Sequence, residues 1–168
     1  MKQWTLITMK IGLLTTLFGC GQCNEQKRNE ENMNIEKEIV HEFVKSINEH
    51  NVNKIYELMD SDFKFIDTYG NEETGKEHMK ESWIGYFRWF PDYEIEIIDL
   101  FSDSDIFVIL GYASGTYQNK KMANNENYWR LPAAWRVLVE ENKIKQWQVY
   151  CDSKIPFDII ENNENASR

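Results

Sequence analysis

Phe87-Arg88-Trp89-Phe90-Pro91-Asp92-Tyr93-Glu94-Ile95-Glu96-Ile97 holds the point at which the chain changes its hydrophobic period. Upstream, after Gly75, the residues Met79, Trp83, Ile84, Tyr86, Phe87 and Phe90 recur at helical spacing. They form the apolar stripe of an amphipathic helix. Pro91-Asp92 ends it, because proline disfavours helical backbone in the residue before it. Downstream, Tyr93, Ile95 and Ile97 alternate with Glu94 and Glu96, the period of a half-buried strand.

Outward from this point, helices lie on one side and strands on the other. Residues 34–49 carry Ile35, Ile39, Phe43, Val44 and Ile47, a helical stripe. A short second helix holds Val52, Ile55, Tyr56, Leu58 and Met59, with Asn51 or Asn53 as its cap. Asp60-Ser61-Asp62 is a turn, and Phe63, Phe65 and Ile66 form a short strand. On the far side, Ser102-Asp103-Ser104-Asp105 turns into a long strand over 106–117, in which Gly111 and Gly115 invite bending. A polar loop over 118–127 leads to a strand over 128–139, with Pro132 at a bulge. Glu140-Glu141-Asn142 turns into a last strand over 143–151. Its parity is open: Ile144 faces inward with Gln146, Gln148 and Tyr150, or a bulge brings Trp147 in. The order α-α-β-α-β-β-β-β predicts an α+β fold with a largely antiparallel sheet.

The chain has 168 residues, about one domain, with 42% apolar and 28% charged residues. Aromatic residues reach 14%, enough for a thick core or a lined pocket. The net charge of −9 offers no basic surface for nucleic acid. Three cysteines make no disulfide scaffold, and no glycine-rich phosphate-binding motif is present. His41, His50 and His78 are scattered; the first two are too far apart to be a helical metal pair. No metal and no cofactor is expected.

The N-terminus, with Lys2 and Lys10 before the short apolar stretch 11–18, falls well below the roughly 20 apolar residues of a membrane span. It ends in Leu17-Phe18-Gly19-Cys20, which resembles a bacterial lipobox. The division expected is a lipoprotein signal peptide over 1–19, a flexible tether over 20–33 with lipidated Cys20, a domain over 34–160 and a loose tail over 161–168. The expected location is the bacterial cell envelope, periplasmic or surface-exposed. Cys23 completes a superficial C-x-x-C with Cys20, but a lipidated first cysteine leaves no redox pair.

Asn48-Glu49-His50-Asn51, the strand end Phe65-Ile66-Asp67, Gly75 before the helix with Trp83 and Phe87, and Phe90-Pro91-Asp92 carry a resemblance. So do Gly111, Gly115-Thr116 and the ending Lys143-Ile144 through Trp147, Tyr150 and Asp152. Together, over roughly 35–155, they resemble the SnoaL-like branch of the nuclear transport factor 2-like superfamily. The resemblance implies a cone: a strongly curved, mainly antiparallel sheet wrapped around N-terminal helices, with a cavity at its open end. Members include polyketide cyclases, ketosteroid isomerase, limonene epoxide hydrolase and dehydratases, and others only bind ligands or dimerise, so the fold leaves function open.

Two acids are candidate general acid/base residues, Asp67 at a strand end and Asp152 at the end of the last strand. A turn role for Asp67 and a solvated strand-end role for Asp152 are the structural alternatives. The isomerases' Asp-Pro-x-Gly stands here as Asp67-Thr68-Tyr69-Gly70, without the proline. Their oxyanion donors correspond to Phe43 and Ala134, neither of which can donate, so ketosteroid isomerisation is not expected. Arg88, Arg130 and Arg136 give no clear Asp-Arg-Asp set for epoxide hydrolysis. Trp83, Phe87, Tyr112, Trp129, Trp135, Trp147 and Tyr150 are the candidate ligand-pocket side chains; a filled core is the alternative use for them. The reading that results is a lipid-anchored domain binding a small apolar or aromatic molecule. A cyclase, isomerase or dehydratase using Asp67 or Asp152 stands beside it, as does a homodimerising module using the outer sheet face.

Overall fold

The helix that the period change ends is α3, Lys76–Trp89, and the strand it begins is β3, Glu94–Asp103. Both belong to a computed structural model that describes residues 19–119 and 126–165. The expected signal peptide over 1–19, apart from Gly19, most of the 118–127 loop and the last three residues of the expected tail lie outside the described residues. The other elements are α1 Gly19–Asn48, α2 Val52–Leu58, β1 Met59–Ile66, β2 Glu72–Thr74, β4 Ile106–Thr116, β5 Tyr128–Glu140, β6 Lys143–Cys151 and α4 Lys154–Asn165. A single 3-10 turn, Tyr117–Asn119, follows β4.

The strands form one open six-stranded sheet in the order β2-β1-β6-β5-β4-β3. Among the described residues only β1 and β6 pair in parallel, and the other pairs are antiparallel. The expected α+β class holds, with a mixed sheet. Val40, Phe43, Val44 and Ile47 of α1 are buried, and so are the inward residues of β4 and β5, Phe107, Ile109, Trp135, Val137 and Val139. This one apolar core spans helices and sheet. The β5–β6 hairpin closes through Glu141 and Asn142, both at positive φ, as a two-residue hairpin turn asks.

Three segments depart from the sequence reading. The stretch 20–33, read as a tether, is helical backbone in α1. Its Glu, Gln, Lys and Arg residues have no apolar stripe, but extending a helix already nucleated by the buried turns from Val40 on needs only fair propensity. The stretch read as a loose tail from 161 continues α4, which buries Pro156, Ile159 and Ile160 at i, i+3 and i+4. Pro156 fits because it stands in the first turn, where backbone N–H groups have no helical partner. Pro132 is not at a bulge. It pairs in register with Tyr112 and lies one residue past the last β5–β6 pair, Ala133↔Cys151, where no β6 backbone needs its missing N–H.

Bulges occur elsewhere. In β6 the register steps from Leu138↔Gln146 to Val139↔Ile144, leaving Lys145 as the extra residue. That step turns Ile144 and Trp147 inward and Gln146, Gln148 and Tyr150 outward, which settles the open parity. In β3 the step between Ile97 and Asp99 leaves Ile98 extra, beside Gly111 of β4. A side chain at Gly111 would set its Cβ 1.9 Å from the Glu96 carbonyl oxygen.

Gly111→Ala is therefore expected to lose about 2–3 kcal/mol in urea unfolding, since backbone must move. Gly115→Ala, whose Cβ meets only the Phe90 side chain at 3.2 Å, is expected to lose less. The reverse order would show that the β3 bulge relaxes more easily than the Phe90 packing.

Candidate functional site

Trp83, Tyr86, Phe87 and Phe90 sit at i, i+3, i+4 and i+7 on and just after α3, so they share the face turned toward the sheet. The sheet meets them with small side chains. Gly115 and Ala113 of β4 pair with Trp129 and Leu131 of β5, and Gly111 pairs with Ala133. The rings fill this space as a connected group. Trp83 stacks on Phe87 at 5.4 Å between centroids, and Tyr86 meets Tyr93 edge-on at 5.0 Å. Phe90 meets Trp129 edge-on at 5.3 Å, and Trp129 lies 6.0 Å from Tyr93. His50 closes one side, its ring 4.5 Å from Phe87 and its Nε2 3.0 Å from the Tyr93 carbonyl oxygen.

The polar atoms of this group are unusual in having no protein partner. The indole N–H groups of Trp83, Trp129 and Trp135 are buried and donate to nothing among the described residues. The hydroxyls of Tyr86 and Tyr93 make no hydrogen bond with a described residue either. Burial raises the pKa of both phenols, Tyr86 well above the ordinary value; proximity to Cys151 adds to both, and proximity to Tyr93 adds to Tyr86. Burial, and then Asp152, likewise raises the Cys151 thiol. Tyr86 is half-buried by area. Most buried polar groups in proteins are paired, so the unpaired Trp83 and Trp129 indoles, beside two phenols without a protein partner, set this ring group apart.

The expected pocket residues divide among three places. Trp83, Phe87 and Trp129 belong to this group. Trp135 and Trp147 are fully buried deeper in the core, where Trp147 packs on Phe43 at 5.1 Å and Phe43 on Phe63 at 6.4 Å. Tyr112 and Tyr150 are on the opposite, outer face of the sheet. Ala113 faces in and so Tyr112 faces out, and the Lys145 bulge turns Tyr150 out. There they line a shallow groove of about 390 Å³ with Ile98, Leu110 and Pro132. Arg130 lies 3.5 Å over the Tyr112 ring and pairs with Glu96 at 2.5 Å, so it takes no part in an inner Asp-Arg-Asp set. Ala134 is on that outer face as well, pairing with Leu110. Sequence reading placed Tyr86 and Tyr93 in the apolar pattern without giving them a role. Their polar tips on inward positions were the available signal.

The two acids come to the same end of the molecule, where Thr68 Oγ1 and Ser153 Oγ are 2.8 Å apart. Asp67 accepts bonds from the backbone N–H groups of Tyr69 and Asn71 and from Asn71 Nδ2, each at 2.8 Å. Burial pushes its pKa up, but these bonds, Asn71's first, outweigh it and hold the carboxyl below its ordinary value. General-base work calls for the opposite shift. Asp152 is exposed, and its Oδ1 accepts from the Lys154 backbone N–H at 3.1 Å, at the start of α4. Among the described residues, no three His, Cys, Asp or Glu side chains are grouped to hold a metal.

Residues 40–147, more than half of the chain, match the SnoaL-like domain family. The chain belongs to that family. A protein provisionally assigned as a SnoaL-like polyketide cyclase from Shewanella denitrificans OS-217 is similar in structure, with a TM-score of 0.64 at 14% identity. That match covers 76% of this chain and 98% of the other. An epoxide hydrolase of the LEH-like type from M. tuberculosis also aligns at 0.64, with 10% identity over 79% and 94% of the two chains. A hypothetical protein with a ketosteroid isomerase-like fold from Catenulispora acidiphila, solved with trimethylamine, aligns at 0.59 with 18% identity over 67% and 84%. No curated protein sequence matches the chain. At these identities the solved structures establish the SnoaL-like fold, and the chemistry of the site rests on its own residues.

In this SnoaL-like domain the Asp67 carboxylate holds a turn, and its folded pKa is below the unfolded one. Its contribution to stability is therefore full above the unfolded pKa and is lost as pH falls through the folded pKa. Asp67→Ala is expected to cost about 1 kcal/mol at pH 7. The gap from the parent should close as the pH of urea unfolding is lowered below about 4. A gap that persists in acid would separate the turn from the carboxylate's charge.

Proposed function

We propose that this SnoaL-like domain binds a small ring-shaped apolar or aromatic molecule against the inner face of its sheet, between α3 and β5. The observation that carries the reading is the aromatic group of Trp83, Tyr86, Phe87, Phe90, Tyr93 and Trp129 set opposite the small side chains of β4. Rings of this kind supply apolar contact area, and their polar tips fix orientation. Binding is favoured over acid/base turnover because no carboxylate belongs to that group, while the Asp67 oxygens are engaged in their turn and Asp152 lies in solvent. The enzymes among the structural relatives keep a cyclase or hydrolase reading in view. For this chain it would need an acid that the inner ring group does not contain.

Titration calorimetry with 2-ethylnaphthalene tests the reading. Saturable binding is expected, weakened about tenfold or more by Trp83→Ala and left unchanged by Tyr112→Ala on the outer face. Absence of saturable binding, or an equal loss in both variants, would overturn it.

We also propose that the domain is held at a bacterial cell envelope by acyl chains on Cys20. The support is the lipobox-like Leu17-Phe18-Gly19-Cys20. No helix among the described residues is long and apolar enough to cross a membrane. In a bacterial host fed an alkyne-tagged fatty acid, the label should enter the parent chain and the Cys23→Ser variant. It should be lost from Cys20→Ser, and label retained there would overturn the anchor.

A further inference from the structure

We infer that α4 is a lid over the inner ring group, pivoting at Asp152-Ser153 and latched by Asn163 to Asn127, and that a ligand enters when the lid lifts. The inference rests on the binding reading above and adds the route to the site. As it stands the ring group is shut. Trp83, Phe90, Tyr93 and Trp129 are each less than a tenth exposed. A molecule that binds among them needs part of the structure to move first.

Position singles out α4 as that part. It follows the last strand of the sheet and lies outside residues 40–147, which match the SnoaL-like family. Cys151 ends β6 beside Tyr86 and Tyr93, and α4 starts three residues later. At the other end, Asn163 Nδ2 donates to Asn127 Oδ1 at 2.9 Å. Asn127 is buried just before β5, and its carbonyl accepts from the Tyr117 N–H at 3.0 Å. The Tyr117 ring meets Phe90 edge-on at 6.3 Å, and Phe90 in turn meets Trp129. With 12 residues α4 is about 18 Å long, so it runs from the Tyr86 and Tyr93 side of the ring group to the Tyr117 side. Pro156, Ile159 and Ile160 face the core along the way.

The way α4 is held suits a moving part. Among the described residues, α1 and α3 run close beside other helices and strands, whereas the α4 backbone does so with none. Ile159 and Ile160 sit at the rim of the core, while Val40, Phe43 and Ile47 of α1 are fully buried. Local opening takes the elements with the least buried apolar surface first. The two ends of α4 differ. At the pivot, Thr68 Oγ1 and Ser153 Oγ are 2.8 Å apart and Asp152 Oδ1 accepts from the Lys154 N–H, in a two-residue link between β6 and α4. Element-terminal residues of this kind absorb the backbone change of a hinge. At the far end the tie joins two neutral amides, so parting it strands no buried ion. Within α4, Lys154 pairs with Asp158 and Asn163 Nδ2 also donates to the Ile159 carbonyl at 2.9 Å. Those ties stay with the helix when the latch parts.

Native-state hydrogen exchange on the full chain tests the lid without a ligand or a variant. The Ile159 and Ile160 amides, in the middle of α4, should exchange at least about tenfold faster than the paired amides of β4 and β5. Equal protection would overturn the lid. Stopped-flow tryptophan fluorescence with 2-ethylnaphthalene then reads entry. Asn163→Ala should raise the association and dissociation rate constants together, by about threefold or more, with Kd nearly unchanged. A purely structural role for Asn163 would not move both rates in step, and unchanged rates would overturn α4 as the entry route while leaving ring binding intact. A reversible lock reads the opposite sign. In the double variant Asn127→His with Asn163→His, zinc should bridge the paired side chains. It should slow both the α4 exchange and the association of 2-ethylnaphthalene about tenfold, and a chelator should restore both. No zinc uptake would overturn the latch, and uptake without slowing would overturn the lid. Failure of 2-ethylnaphthalene to bind the parent chain would take down the underlying reading, and the exchange of α4 would still decide whether it opens ahead of the sheet.

Discussion

The side chain of Asn48 is the joint on which the arrangement depends. Its Oδ1 accepts from the Ile95 N–H at 2.8 Å, and its Nδ2 donates to the Ile95 carbonyl at 2.9 Å. Ile95 is in β3, the edge strand, whose outer backbone groups have no neighbouring strand. One amide thus replaces a strand partner at the place where α1 ends and β3 begins. Leaving such buried groups unpaired costs about 1–3 kcal/mol each, so the pair is a large share of a domain's net stability. The next residues continue the same tie. His50, at positive φ, turns its ring to the Tyr93 carbonyl, and Asn51 caps α2 by accepting from the Lys54 N–H. The run Asn48-Glu49-His50-Asn51 therefore fixes how far β3 lies from α1, and with it where Tyr93 and the end of α3 sit.

Curvature is the second constraint, and it decides which residues can form a site. The extra residues Ile98 and Lys145 lie in strands on either side of the β4–β5 pair and bend it there. Gly111 permits the first bend by letting the Glu96 carbonyl approach. The second reverses the parity of the end of β6, turning Trp147 into the core and Tyr150 out to 52% exposure. A residue's face is thus set by bulge positions, and those arise from long-range pairing.

That explains what the sequence could tell. The helix-to-strand change at Pro91, the long β4 and β5, the Asn51 cap and the Glu141-Asn142 turn depend on local chemistry, and each was legible. Tyr112 and Tyr150 were assigned to a pocket because they are aromatic and near others in sequence. Their outward direction needed the strand register. The extension of α1 and the whole of α4 escaped for another reason. The former is held by helix propagation without an apolar stripe, and the latter carries Pro156 in its first turn, a residue that reads as a helix breaker. Tyr86 and Tyr93 were read correctly as inward-facing. That their hydroxyls are left without partners is a property of the surrounding packing, which no spacing rule contains.

The distribution of charge gives the site its character. The chain carries 28 acidic and 19 basic residues, yet the ring group behind β4 has none of either. Asp67 spends its charge on a turn and Asp152 on the start of α4, at the end where Thr68 meets Ser153. An acidic exterior lowers the local concentration of anions at long range, while it does little to a neutral molecule. Inside, aromatic walls give an apolar molecule contact area and offer an anion no countercharge. The exterior and the interior select in the same direction, and both disfavour a ligand that carries negative charge.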